Sequence, residues 1–193
     1  EVEPLTNYAV FRAQRELGRR AGLGVLGTSV VRNLGDPALA SVLTDRAVML
    51  GVDGHLFLDH GRNWVVHGGI AGSWVHGSTS AIMRLQKAEQ RYNQRPDAPH
   101  VRLHPEATSM SGWTGQANVN RNSGNVTVNV GIWGMSPGLE VNDAGYSTQT
   151  DRAGAHAMVQ WRKLTPARWS RERYVWLAKW WTWNYGNESQ GDG

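Results

Sequence analysis

The sequence predicts an all-β fold, an antiparallel meander of about eight to ten long strands that forms a barrel or a barrel segment. Apolar and polar residues alternate with period two over several stretches of about ten residues. Such strands are long, because strands in soluble proteins average ~5 to 6 residues. The chain also holds 23 glycines and ten tryptophans against two phenylalanines, a composition that suits twisted strands better than packed helices.

The clearest strand is NVTVNVGIW, residues 125–133, in which polar residues separate four aliphatic ones. The aliphatic residues share one face: Val126, Val128, Val130 and Ile132. The preceding stretch GQANVNRNSG, residues 115–124, alternates in the same way, and the Asn and Gly residues between the two stretches are typical of a hairpin turn. We therefore expect these two strands to pair directly.

Two upstream strands show the same period. RAVMLGVDGHLFL, residues 46–58, sets Val48, Leu50 and Val52 opposite Asp53 and His55.

In NWVVHGGIAGSWVHG, residues 63–77, Trp64 and Trp74 lie on one face, ten residues apart. At ~3.3 Å per residue and a tilt of about 40°, this separation projects to roughly 25 Å. That is the height of the apolar band of a transmembrane β-barrel.

Weaker alternation predicts the remaining strands, at residues 8–17, 22–33, 80–92, 154–164 and 171–186. The stretch at 80–92, SAIMRLQKAEQRY, is the least regular, and its residue propensities also fit a helix. The tail NESQGDG is predicted to lack regular structure. No linker divides the chain, so residues 1–193 are interpreted as a single β domain or part of a larger β-barrel domain.

Composition excludes several classes. The formal charge of +4 comes with no sustained basic run, so nucleic acid is not a predicted partner. The absence of cysteine rules out disulfides and thiolate metal sites. No apolar run approaches the ~20 residues of a membrane helix, and the start of the chain does not have the pattern of a secretory signal.

Two motifs that resemble ligand sites are interpreted as structural. GLGVLG, residues 22–27, matches the dinucleotide pattern Gly-x-Gly-x-x-Gly, but a strand-like stretch follows it instead of a helix. His100 and His104 have the spacing of two ligands on one helical turn, but Pro99 and Pro105 flank them. No cofactor and no metal site are predicted.

The acidic segment GLEVNDAGYSTQTD, residues 138–151, has two interpretations. A glycosidase needs two carboxyl groups about 5 Å apart for retention or roughly 6.5 to 9.5 Å apart for inversion. Glu140, Asp143 and Asp151 are the candidate catalytic residues. Alternatively, the segment is a turn whose Asx side chains bond the nearby backbone.

Aromatic residues supply the candidate carbohydrate contacts, because indole and phenol rings stack on sugars. The candidates are Trp133, Trp161 and Tyr146. The tryptophans between residues 169 and 183 fit a membrane-interface belt, since indoles settle at the headgroup level and the neighbouring arginines reach water.

The segments EVEPLTNYAVFRAQREL, QRYNQRPDAPH and SPGLEVNDAGY, at 1–17, 90–100 and 136–146, carry a resemblance to a known family. The chain resembles the C-terminal β-barrel-like domain, of unknown function, of bacterial outer-membrane proteins that also contain a family 9 carbohydrate-binding domain. The resemblance implies a fragment of a longer protein, located in the bacterial outer membrane or in the periplasm or extracellular space. It supplies no catalytic residues.

We therefore expect an outer-membrane-type β-barrel protein or segment, structural or pore-forming, with membrane lipid or carbohydrate as its partner. The expected lipid-facing residues are Val48, Leu50, Val52, Val126, Val128 and Val130. The alternative is a soluble carbohydrate-active β protein, such as a glycoside hydrolase that uses Glu140 and Asp143. Because a barrel must close its edges, the chain either closes with fewer strands, pairs with another copy as a homo-oligomer, or folds as a soluble sandwich.

Overall fold

A computed structural model describes residues 3–193, so the first two residues of the predicted domain lie outside the described part. Nine strands and two helices make up the fold. The strands are β1 (Thr6–Leu17), β2 (Ala21–Arg32), β3 (Thr44–Phe57), β4 (Trp64–Gly77), β5 (Ser109–Arg121), β6 (Val126–Met135), β7 (Arg152–Lys163), β8 (Arg173–Trp183) and β9 (Ser189–Asp192). The helices are α1 (Pro37–Ala40) and α2 (Thr79–Lys87).

The strands form one sheet in the order of the sequence, and every neighbouring pair is antiparallel. This confirms the predicted all-β meander of long strands. Within residues 3–193 the sheet does not close, since β1 pairs only with β2 and β9 only with β8.

Two predictions of local structure are wrong. The stretch at 80–92 is not a strand, because α2 occupies its first half. Ser78 caps this helix by accepting a hydrogen bond from the backbone N–H of Ala81 (3.1 Å), and the buried side chains of Ala81, Ile82 and Gln86 share the helical spacing of one face. The tail is not irregular either, since four of its residues form β9 against β8.

The two ends of the sheet differ. At one end, which we call the hairpin end, four turns at residues 18–20, 58–63, 122–125 and 164–172 join consecutive strands. At the other, the loop end, the connections are mostly longer, and they span residues 33–43, 78–108, 136–151 and 184–188.

The strands are staggered in one direction throughout. Followed across the sheet, Leu17 at the end of β1 aligns with Ala157, which precedes Lys163 at the end of β7 by six residues. Arg152 at the start of β7 aligns with Arg12, six residues after the start of β1. The register thus shifts by six residues over the six spacings between β1 and β7. If the strand ends lie at one level, ~3.3 Å per residue and ~4.8 Å between strands give a strand tilt of about 35°, which is within the range for β-barrels.

The hydrophobic core is small and lies at the loop end. Val30, Ala47 and Val75, on three neighbouring strands, pack against Ile82 of α2. Leu85, Ala107 and Met110 complete the cluster. The segments 78–108 and 136–151, which we call the cap, therefore cover one side of the sheet at its loop end and leave the rest of that side open.

Candidate functional site

The uncovered side of the sheet presents a continuous apolar surface, which we call the apolar face. The strand register places aliphatic residues of neighbouring strands side by side, as with Val52 beside Ile70 and Val119 beside Val130. Its exposed aliphatic residues are Leu17, Leu23, Val25, Val31, Val48, Leu50, Val52, Leu56, Ile70, Val119, Val130, Ile132, Val159, Val175 and Leu177. Leu50 is 65% exposed and Ile132 is 61% exposed, although such side chains normally lie in a core.

Tryptophans border the apolar face at both ends. Trp64 and Trp161 face outward at the hairpin end, and Trp74, Trp113 and Trp183 do so near the loop end. At the 35° tilt, the ten residues from Trp64 to Trp74 span about 27 Å along the direction from the hairpin end to the loop end. Aromatic girdles around a band about 25 Å tall are typical of transmembrane barrels.

One ion pair lies within the apolar face. Lys179 of β8 is 2.5 Å from Asp192 of β9, and its Nζ lies 5.7 Å from the centre of the Trp181 ring. The pair therefore joins opposite charges at the open edge of the sheet.

The opposite side, where the cap does not cover it, is mostly polar from β3 to β7, and we call it the polar face. The outer strands add exposed apolar side chains to it, Val10 on β1 and Trp176 and Trp180 on β8. His55 of β3 lies beside His67 of β4, and Gln116 of β5 lies beside Trp133 of β6. These residues line an open cavity of about 790 Å³. Glycines such as Gly69 form part of the floor of the cavity. Glycine is needed at Gly69, because a side chain there would overlap the neighbouring strand.

Hydrogen bonds connect polar side chains across this face. Both guanidinium Nη atoms of Arg12 in β1 donate to the carboxylate of Asp53 in β3. Farther along, the ring of His156 lies 2.6 Å from the Oδ1 of Asn129, whose amide N–H donates to Asn120. The polar face is thus an ordered set of imidazole, amide and charged groups.

The cap holds the predicted carboxylates in separate contacts. Glu140 is buried, and its Oε2 lies 2.8 Å from the Nη2 of Arg91, which is also buried. Its Oε1 accepts a hydrogen bond from the backbone N–H of Asn142 (2.7 Å), and its own N–H donates to Ser73 (3.0 Å). Glu140 therefore fastens the β6–β7 connection to the segment after α2 and to β4.

Asp143 makes the second contact. Its carboxylate lies 2.5 Å from Arg32 at the end of β2, and it accepts a hydrogen bond from Thr44 Oγ1 (3.1 Å) at the start of β3. Asp143 therefore joins the cap to the β2–β3 connection.

Asp151 makes the third contact, with a backbone in the left-handed region at φ 55°. It is buried between Arg95, the ring of His100 (2.9 Å) and the backbone N–H of Tyr185 (3.2 Å). Burial, followed by the charge of Asp151, raises the pKa of Tyr185.

Each of the three candidate catalytic carboxylates therefore pairs with an arginine that is distant from it in the sequence. A glycosidase site leaves room for a sugar between its two carboxyl groups, whereas Glu140 and Asp151 are nearly inaccessible here. Two of the ion pairs join the two segments of the cap to each other, and the pair of Asp143 and Arg32 joins the cap to the sheet. The arrangement suits a clamp that holds the cap together on the sheet. Asn142 adds a local Asx contact, since its Oδ1 accepts from the backbone N–H of Ser147 (2.6 Å).

The three aromatic candidates lie apart. Trp133 is on the polar face, where its ring covers Gly154. Trp161 is on the apolar face, beside Val126. Tyr146 is 86% exposed in the cap. The structure thus leaves Trp133 as the candidate that faces polar side chains suited to a sugar.

The two motifs that resemble ligand sites, the glycine motif and the histidine pair, both lie in structural positions. GLGVLG lies within β2. His100 and His104 lie in an irregular part of the cap, where Gln86 makes hydrogen bonds to both backbone groups of His104. Residues 3–193 contain no group of three His, Cys, Asp or Glu side chains that could hold a metal ion. Neither helix of this part of the chain has the length and apolar character needed to cross a membrane.

Sequence reasoning missed the arginines of the cap. Arg91 and Glu140 are 49 residues apart, and Arg95 and Asp151 are 56 apart. No local pattern joins residues at such separations. The one available signal was the occurrence of several carboxylates in a segment without basic residues.

Comparison with protein-family models, with curated proteins and with solved structures finds no match to this chain.

Proposed function

We propose that this chain forms part of an outer-membrane-type β-barrel of a bacterium, structural or pore-forming, with its apolar face against lipid and its polar face toward the lumen. The observation that carries the proposal is the division of the sheet into two faces. Leu50, Val52, Ile70, Val130 and Ile132 are all at least 45% exposed on one face, whereas hydrogen-bonded polar groups and the cap occupy most of the other.

A lipid environment explains the exposed apolar face. Soluble monomers rarely expose contiguous apolar patches larger than a few hundred Å², and this face extends over eight strands. Strands of 10 to 14 residues from β1 to β8 are long enough for the 9 to 11 residues that a tilted strand needs to cross a bilayer.

Barrel closure requires additional strands at the edges of β1 and β9. Unpaired backbone groups cost several kcal/mol each in hydrocarbon. Under the proposal these edges pair with further strands, either of the same polypeptide or of a second copy.

The carbohydrate association is proposed for the polar face only. Trp133 offers an indole ring there, and Gln116, Asn118 and His156 offer hydrogen-bonding groups on adjacent strands. The alternative soluble hydrolase has weaker support, because Arg91 and the Asn142 backbone occupy the carboxylate of Glu140.

Two lysine substitutions at equal height on opposite faces test the proposal. Ile132 faces outward on β6, and Gln116 lies on the polar face of β5, adjacent to it in the register. Ile132→Lys places a charge near the middle of the band, which costs about 2 to 4 kcal/mol on a lipid face. Gln116→Lys places the same charge toward the lumen and serves as the matched control.

The measurement is the free energy of unfolding of both variants in phospholipid vesicles and the yield of folded protein. We expect a loss of about 2 to 4 kcal/mol for Ile132→Lys and little change for Gln116→Lys. Equal effects of the two substitutions, or a folded and monodisperse protein without any detergent or lipid, would contradict the membrane proposal.

A further inference from the structure

Charge is distributed unevenly between the two ends of the sheet. The four hairpin turns with three residues on either side are residues 15–23, 55–66, 119–128 and 161–175. They contain ten of the 20 Lys and Arg residues but only three of the 16 Asp and Glu residues. This region, which we call the basic rim, therefore has a formal charge of +7, whereas the rest of the chain has −3. Its cations are Arg15, Arg19, Arg20, Arg62, Arg121, Arg162, Lys163, Arg168, Arg171 and Arg173.

The cations of the basic rim are not neutralised within the sheet. Among residues 3–193, no salt bridge joins any of the ten to a carboxylate. Arg62 instead lies over the Phe57 ring at 5.1 Å, and Arg173 lies over the Trp169 ring at 5.7 Å. At the loop end, by contrast, Arg91 and Arg95 each hold a buried carboxylate. The rim therefore has positive charge available for an external anion.

The basic rim continues directly from the apolar face. Arg121 lies beside the outward-facing Trp64 in the register, and Lys163 follows Trp161 by two residues on the same face of β7. In a membrane, indoles settle at the level of the headgroups, so these cations lie where lipid phosphates are found. Guanidinium groups bind phosphate oxygens through two parallel hydrogen bonds.

We propose that the basic rim binds the phosphate groups of anionic membrane lipids at the hairpin end of the sheet. This inference rests on the proposed function, because it requires the apolar face to lie in lipid. Charge complementarity and the continuity of the rim with the apolar face together select lipid over a soluble polyanion. The loop end has no comparable excess of cations, so the preference for anionic lipid belongs to one side of the membrane.

Quenching of tryptophan fluorescence by brominated lipids tests this preference. The purified chain in zwitterionic micelles is titrated with brominated phosphatidylglycerol or with brominated phosphatidylcholine. We expect phosphatidylglycerol to reach half-maximal quenching at a concentration at least tenfold lower at low salt. The preference should decrease as sodium chloride screens the charges.

A triple variant and a matched control locate the binding site. Lys163→Gln, Arg168→Gln and Arg171→Gln together remove three exposed cations of the rim. At about fivefold per cation, their loss should reduce the preference at least tenfold. Arg46→Gln, Arg84→Gln and Arg102→Gln together remove the same charge from exposed positions outside the rim and should leave the preference unchanged.

Each other outcome overturns a specific statement. Equal quenching by the two lipids would overturn the basic-rim proposal and leave the membrane proposal intact. No quenching by either lipid would overturn both. A preference that the control triple variant also loses would show a general charge effect and overturn the assignment to the rim. If inorganic phosphate abolishes the preference and sodium chloride of equal ionic strength does not, the rim binds free phosphate and the lipid assignment is wrong.

Discussion

The buried pair of Arg91 and Glu140 provides a quantitative test of the cap. In the variant Arg91→Met, the side chain keeps much of its volume but loses its charge and its donors. Glu140 then remains buried without its cation, and the backbone oxygens of Leu85 and Leu139 lose the hydrogen bonds that Arg91 donates. Removing one partner of a buried ion pair costs about 3 to 5 kcal/mol.

Urea unfolding of every variant in zwitterionic micelles, monitored by tryptophan fluorescence, measures this loss of stability. Arg84→Met is the matched control, because Arg84 is exposed on α2 in the same segment. Its substitution should change the free energy of unfolding by less than about 0.5 kcal/mol. Limited proteolysis should show faster cleavage of the cap in Arg91→Met alone, since its segment 78–108 loses the contact with Leu139 and Glu140 of its segment 136–151.

The double variant Arg91→Met/Glu140→Leu removes both charges and separates two contributions. Replacing a buried pair with apolar residues is often nearly neutral, and here the N–H of Asn142 also loses its acceptor, at about 1 to 3 kcal/mol. We therefore expect the double variant to be more stable than Arg91→Met. Equal stability of Arg91→Met and Arg84→Met would refute the clamp, and glycosidase turnover that Glu140→Gln abolishes without loss of stability would favour the hydrolase alternative.

A further prediction concerns packing in the sheet. Gly112→Ala should destabilise the protein by roughly 1 to 3 kcal/mol or more, because the added Cβ overlaps the backbone of Gly138 and Leu139. Gly72→Ala, whose Cβ would have its nearest neighbour at 3.8 Å, is the control in thermal unfolding. Equal melting temperatures of the two variants would contradict this packing.

Much of the sheet could be predicted because alternation with period two records which face each side chain occupies. The register confirms that Val126, Val128, Val130 and Ile132 share a face opposite Thr127, Asn129 and Gly131. The same rule separates Trp133 from Trp161, because Trp133 follows the polar positions of β6 and Trp161 the apolar positions of β7. Their separation was therefore available in the sequence.

The cap could not be predicted in the same way. In SAIMRLQKAEQRY, short apolar spacing fits either a strand or a helix. The hydrogen bond of Ser78 to the backbone of Ala40 in α1 and the packing of Ile82 against the sheet decide for the helix. The carboxylates of the acidic segment look like a site until the long-range partners Arg32, Arg91 and Arg95 are known. Ion pairs formed by the fold leave no periodic signal in the chain.

The orientation of the two faces in a membrane is measured most directly by spin labels placed along β6. The chain contains no cysteine, so a cysteine introduced at each position from Val126 to Ile132 carries a unique label in vesicles. We predict alternation with period two, in which oxygen dissolved in lipid relaxes labels at Val128, Val130 and Ile132, and a water-soluble nickel chelate relaxes labels at Thr127 and Asn129. Equal access of the chelate to both sets of positions would contradict the assignment of the apolar face to lipid.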